Sequence, residues 1–178
     1  MQWSRLKKEV ESHFSPSVAG RVELRITNYR WAHDWEGRGW ITIDKHEVHN
    51  FCTHKYYVEY NKLVDGIRAA NHATDWCDPK QRDDYDQADA QANAILEQRG
   101  VMSQGWFERS LRQYLSLSIE EVLSSPNFLH RALAVLDKRL GKRRLKALEL
   151  SPTEHPLVIR LFRLRQSVAF GSSMDGAA

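Results

Sequence analysis

A chain of 178 residues that is 42% hydrophobic and 28% charged is long enough to bury a core without disulfide or metal staples, and it holds no apolar run near the roughly 18–20 residues that a membrane span needs. Its formal net charge of +3 excludes an indiscriminate polycation. Two cysteines, Cys52 and Cys77, are too few for a secreted disulfide scaffold, and Met1 to Val10 lacks the apolar stretch of a secretory leader, so a cytoplasmic protein with no membrane partner is expected.

Trp3, Leu6, Val10 and Phe14 recur at spacings of three and four, which predicts an amphipathic helix over 3–14 ended by Ser15-Pro16-Ser17. After Gly20 the period drops to two. Val22, Leu24 and Ile26 alternate with polar residues as a half-buried strand, and the segment from Asp34 to Gly39 reads as a flexible turn. Trp40–Ile43 is a second strand, Asp44–Glu47 a tight polar turn, and Val48–Cys52 a third strand, so the three form an antiparallel meander. Thr53 is placed to cap a helix with the stripe Tyr56, Tyr60, Leu63, Ile67 and Ala70.

In the second half, Asp78-Pro79-Lys80-Gln81 reads as a cap, a first-turn proline and a capping-box glutamine opening a helix to about Gln98. Its inner stripe, Tyr85, Ala88, Ala92, Ile95 and Leu96, is mostly small and calls for a close neighbour. Further helices are expected near 104–115, near 119–124 behind Ser118 and Glu121, from Pro126 to Leu140, from Lys142 to Leu150, and from Pro156 to about Ala169. The reading is an α+β protein: helix, three-stranded antiparallel meander and helix, followed by a bundle of about four to six helices. One domain over 1–170 is expected, with an α-β-β-β-α lobe at 1–74, a helical lobe at 75–170 and a disordered tail at 171–178.

Trp3-Ser4-Arg5-Leu6-Lys7, Gly39-Trp40-Ile41-Thr42-Ile43-Asp44, Ser118-Ile119-Glu120-Glu121 and the run from Arg131 to Leu145 resemble a family of short, uncharacterised bacterial proteins. The resemblance spans most of the chain. It implies a bacterial cytoplasmic protein and carries over no catalytic residue.

Charge is unevenly placed: residues 75–98 sum to −5 and residues 126–165 to +7. Lys138, Arg139, Lys142, Arg143, Arg144 and Lys146 gather at a helix end, and the lysines four apart present one face to a row of phosphates. The alternative is that these cations offset a helix dipole and solvate a surface. Trp31, Trp35 and Trp40 surround the first hairpin turn with Arg30 and Arg38 interleaved, suited either to stacking on bases and anchoring a protein partner or to covering the sheet.

His46, Cys52 and His54, with Cys77, are residue types that ligate zinc, but their spacing matches no finger, ribbon or zinc-protease pattern. No cofactor is called for, and no phosphate loop, nucleophile elbow or Cys-x-x-Cys occurs. The favoured expectation is a non-enzymatic binding protein for nucleic acid or an acidic partner, using Lys138, Arg139, Lys142, Arg143, Arg144 and Lys146 with help from Trp35 and Arg38. A protein-binding accessory module anchored by Trp35, and a metal-dependent enzyme built on His46–His54, are the alternatives.

Overall fold

The computed structural model describes residues 2–29, 36–73 and 75–171. The disordered tail expected from 171 onwards therefore lies outside the described residues except for Gly171, the left-handed residue that ends the last helix. Helix α1 (Trp3–Ser12) buries Leu6 and Val10, and three strands follow: β1 (Val22–Asn28), β2 (Gly37–Ile43) and β3 (His46–Cys52). They pair antiparallel in the order β1-β2-β3, as the alternating pattern requires. The edge strand β1 is tied to α1 by the Glu11 carboxylate, which accepts from the Leu24 N–H at 2.8 Å.

Two local readings of the sheet are corrected. Only Asp44 and Lys45 form the second turn, both at positive φ as a two-residue hairpin of this hand demands, so His46 and Glu47 belong to β3. Gly37 and Gly39 lie within β2 and not in a flexible turn, because helix α4 (Gln104–Ser116) approaches the sheet there. A Cβ on Gly37 would sit 1.7 Å from Gln104 Oε1, and one on Gly39 would sit 2.5 Å from Phe107 Cδ1. The absent side chains let Phe107 stack on Phe51 of β3 with ring centroids 4.3 Å apart.

Helices α2 (Thr53–Ala70) and α3 (Arg82–Gln98) pack against each other as a hairpin. The small stripe of α3 acts as its composition demands: Ala88, Ala92 and Leu96 are buried, with Val64 of α2. None of these four belongs to the apolar cluster joining α1 and the sheet to the later helices, which explains why the Tyr56, Tyr60, Leu63 and Ile67 stripe is only half buried and Ala70 is exposed. Thr53 does not cap α2. Cys52 holds the cap position, and the Thr53 hydroxyl accepts from the Gln104 N–H instead. Asp78 does accept from the Lys80 N–H, but residues 78–81 form a turn and the helix starts later.

Helices α5 (Ile119–Leu123), α6 (Phe128–Ala134), α7 (Lys142–Ala147) and α8 (Pro156–Phe170) complete the eight helices among the described residues. The Ser118–Glu121 capping box is fully formed. Helix α6 stops at Ala134, short of Leu140, because the chain then pairs with the segment after α1. Ser15 N–H donates to Leu136 O at 2.7 Å, Lys138 N–H donates to His13 O at 2.8 Å, and Phe14 and Asp137 form an antiparallel bridge. The main apolar cluster runs from Leu6 through Leu24, Phe51, Phe107, Leu111 and Leu133 to Leu164. No helix among the described residues is long and apolar enough to cross a membrane.

Candidate functional site

The basic segment divides into spent and open cations. Arg139 is spent: its guanidinium donates to the Asp137 carboxylate at 2.7 and 3.0 Å and to Leu117 O at 2.9 Å, and it lies over the Tyr114 ring. Arg144 makes an exposed ion pair with Glu120 at 2.9 Å, and Lys138 donates to Ser12 O at 2.8 Å at the end of α1. Lys142, Arg143 and Lys146 are exposed, and among the described residues none makes a side-chain ion pair or hydrogen bond. Leu145 is buried and anchors α7, which turns these three side chains outward. Pairing with the acid-rich α3 does not occur in this segment; Asp89 of α3 is held by Arg68 of α2.

Trp35 falls outside the described residues, as do Trp31 and Arg30. Arg38 is not part of the basic segment. It stands on the outer face of β2, stacked 4.7 Å over Trp40 and paired with Glu47, on a face shared by register with Arg25 and Asn50.

The four candidate metal ligands, His46, Cys52, His54 and Cys77, are kept apart. His46 bonds Asp44 O through Nδ1; the chain turns helical at Thr53 and carries His54 onto α2, where it meets Glu36 at 2.7 Å. Cys52 is half buried at the end of β3, while Cys77 lies beyond α2, whose 18 residues span about 27 Å. Among the described residues no three His, Cys, Asp or Glu side chains are grouped as metal ligands.

A cavity of about 300 Å³ that the sequence did not single out opens where the α2–α3 hairpin meets α4 and the α5–α6 connection. Tyr56, Val101, Met102, Trp106 and Pro126 give its apolar walls, and Asn93, Glu97, Ser110, Gln113, Ser125, Asn127 and His130 its polar ones. The hydrogen bonds of His130 fix its tautomer. Ser110 O can only accept, so His130 Nε2 carries the proton and donates at 3.0 Å, which leaves Nδ1 to accept from Ser125 Oγ at 3.0 Å. Burial lowers the affinity of this imidazole for a second proton. Asn127 donates to Ser110 Oγ and accepts from Leu129 N–H, capping α6, while Asn93 accepts from Tyr56 Oη at 2.5 Å and donates to Asp89 O. The spacing of Asn93 and Glu97 was a usable signal, since both lie beside the small buried stripe on the same helix.

Two more imidazoles are half-buried beside the sheet. His49 donates through Nε2 to Gly100 O at 3.0 Å, and His155 accepts from Leu157 N–H at the start of α8; the two rings are 5.3 Å apart against Phe128. Gly100 is at φ +70, and a Cβ there would lie 2.2 Å from His155 Nε2. Burial first and nearby His49 second bring His155 down to about 4 from 6.5, and burial also lowers His49. Such groups bind protons more readily in the unfolded chain. Their stabilisation is full above about pH 6.5 and is lost as pH falls towards about 4, with about 2–3 kcal/mol from His155. Denaturation midpoints are expected to fall steadily from pH 7 to pH 4.5, with a shallower fall in His155→Asn; midpoints constant over that range contradict this.

Residues 2–166 match the SF0329 protein family. Neither a curated protein nor a solved structure matches the chain.

Proposed function

We propose that this chain, which belongs to the SF0329 protein family over residues 2–166, is a non-enzymatic binding protein that holds a nucleic-acid backbone through α7 and the turn before it. One observation carries the reading. Lys138, Lys142, Arg143, Arg144 and Lys146 are all exposed within a stretch containing no acidic residue, and Lys142, Arg143 and Lys146 have no ionic partner among the described residues. Cations left open in this way exchange their counterions for phosphates at little desolvation cost. A bacterial cytoplasmic setting belongs to the same reading; the unpaired thiols of Cys52 and Cys77 support a reducing compartment.

The test is fluorescence anisotropy with labelled duplex DNA and labelled RNA. Four phosphate contacts give a log–log salt slope of about −3 to −4, hence roughly a hundredfold loss of affinity between about 50 and 200 mM salt. Combining Lys142→Glu, Arg143→Glu and Lys146→Glu abolishes binding and leaves the fold intact, because these side chains touch nothing that the fold needs. Binding that ignores salt or survives the triple change overturns the reading, as does the absence of binding to either probe at low salt. In the last case an acidic protein becomes the partner to seek.

A further inference from the structure

We infer that the cavity between the α2–α3 hairpin and α4 binds a small organic monocation, an amine or quaternary ammonium carried on an apolar body. This site is separate from α7, and the inference does not rest on the nucleic-acid reading.

Size sets the first limit. About 300 Å³ has room for about ten non-hydrogen atoms, taking the roughly 30 Å³ that a water molecule occupies, and falls at the small end of ligand sites. The walls set the second. Tyr56, Trp106, Met102, Val101 and Pro126 favour an apolar or aromatic body, and Trp106 remains 44% exposed although Phe107 and Ser110 of the same helix are buried. Arg109 lies 4.6 Å over the Trp106 ring, so a ligand cation is directed to Tyr56 and Glu97 and away from that indole face.

The polar groups decide the charge. Ser110, Ser125, Asn127 and His130 are satisfied by one another and by backbone, and Asn93 by Tyr56 and Asp89. His130, with Nε2 committed to a carbonyl and Nδ1 to a hydroxyl, offers a ligand neither charge nor a free donor. What remains are the exposed Gln113 amide, which is neutral, and the half-buried Glu97 carboxylate, the charged group among the lining residues; neither has a side-chain partner among the described residues. An unpaired carboxylate lining the same cavity as a tyrosine ring attracts a cation, discriminates weakly in favour of a neutral alcohol and repels an anion.

Three probes of similar size separate these cases: 2-phenylethylamine, 2-phenylethanol and phenylacetate, titrated into the full chain by calorimetry. The amine is expected to bind about tenfold more tightly than the alcohol, and the carboxylate weakest. Glu97→Gln removes that tenfold preference and leaves the affinity for the alcohol unchanged. Glu97 makes no side-chain hydrogen bond or ion pair among the described residues, so the variant folds; an unchanged circular dichroism spectrum verifies it. Trp106→Phe, by abolishing the ligand-dependent fluorescence change, places the ligand in this cavity. Equal affinity for all three probes, an undiminished preference in Glu97→Gln, or no binding of any probe overturns the inference.

Discussion

Asp137→Ala is expected to destabilise the protein by about 3–5 kcal/mol, the range seen when one partner of a buried charge pair is removed. Asp137 has no solvent exposure, and both of its carboxylate oxygens accept hydrogen bonds. Tyr114 Oη donates at 2.5 Å, Arg139 donates through two guanidinium nitrogens, and the Arg139 N–H donates at 2.8 Å. Alanine leaves a buried phenol and a guanidinium without their acceptor, and it loosens the bridge by which Phe14 ties the N-terminal segment to the end of α6. Tyr114→Phe removes one donor and leaves the ion pair, so a cost of about 1 kcal/mol is expected there. Urea denaturation at neutral pH checks both; a loss under about 1 kcal/mol for Asp137→Ala contradicts the buried-pair account.

The pH dependence of this cluster is separate from that of the histidines. Burial raises the Asp137 pKa, but the Arg139 and Tyr114 hydrogen bonds outweigh it and hold the carboxyl below its ordinary 3.8. Its stabilisation is therefore complete above about pH 4 and is lost only as pH falls through the lower native value. A decline that starts near pH 6.5 belongs to the half-buried imidazoles, and below about pH 5 it is joined by Glu120, Glu121 and, despite its burial, Glu154, which hydrogen bonds hold below the ordinary 4.5.

Gly39→Ala carries the second large expected effect, about 2–3 kcal/mol, although it adds one methyl group. The new carbon would meet Phe107 Cδ1 at 2.5 Å and Cε1 at 2.9 Å, and Phe107 is fully buried and stacked on Phe51, with no room to withdraw. The sheet must move from α4 or the ring must leave its rotamer. Gly66→Ala is the control: nothing lies within 4 Å of its added carbon, and helix propensity favours alanine, so stability should rise by about 0.5–1 kcal/mol. Thermal denaturation of the pair checks the argument, and equal midpoints for the two variants contradict it.

The fold was legible where local chemistry decides it. Alternation in Val22, Leu24 and Ile26, the Ser118–Glu121 box and the alanine stripe of α3 each appear in the structure as the elements they predict. Boundaries failed where a distant partner intervened. Helix α6 ends early because residues 136–138 find the backbone of residues 13–15, and Thr53 gives its hydroxyl to Gln104 instead of to its own helix. The basic residues illustrate the same division. Sequence alone gathers Arg139 with Lys142 and Arg143, yet Tyr114 and Phe14, distant in the chain, bury Asp137 beside it, and Asp137 with Leu117 O engages its guanidinium.

The amino-acid sequence by itself determined which segments become helices and strands, because turn chemistry, caps and apolar period act over a few residues. It also determined where cations and carboxylates concentrate. Only the tertiary structure decided which of those charges stay open to solvent and which are consumed. It likewise decided that Tyr56, Glu97, Trp106 and His130, drawn from four helices, share one cavity. The reason is physical: burial and pairing are set by neighbours tens of residues away in the chain, and no local pattern records them.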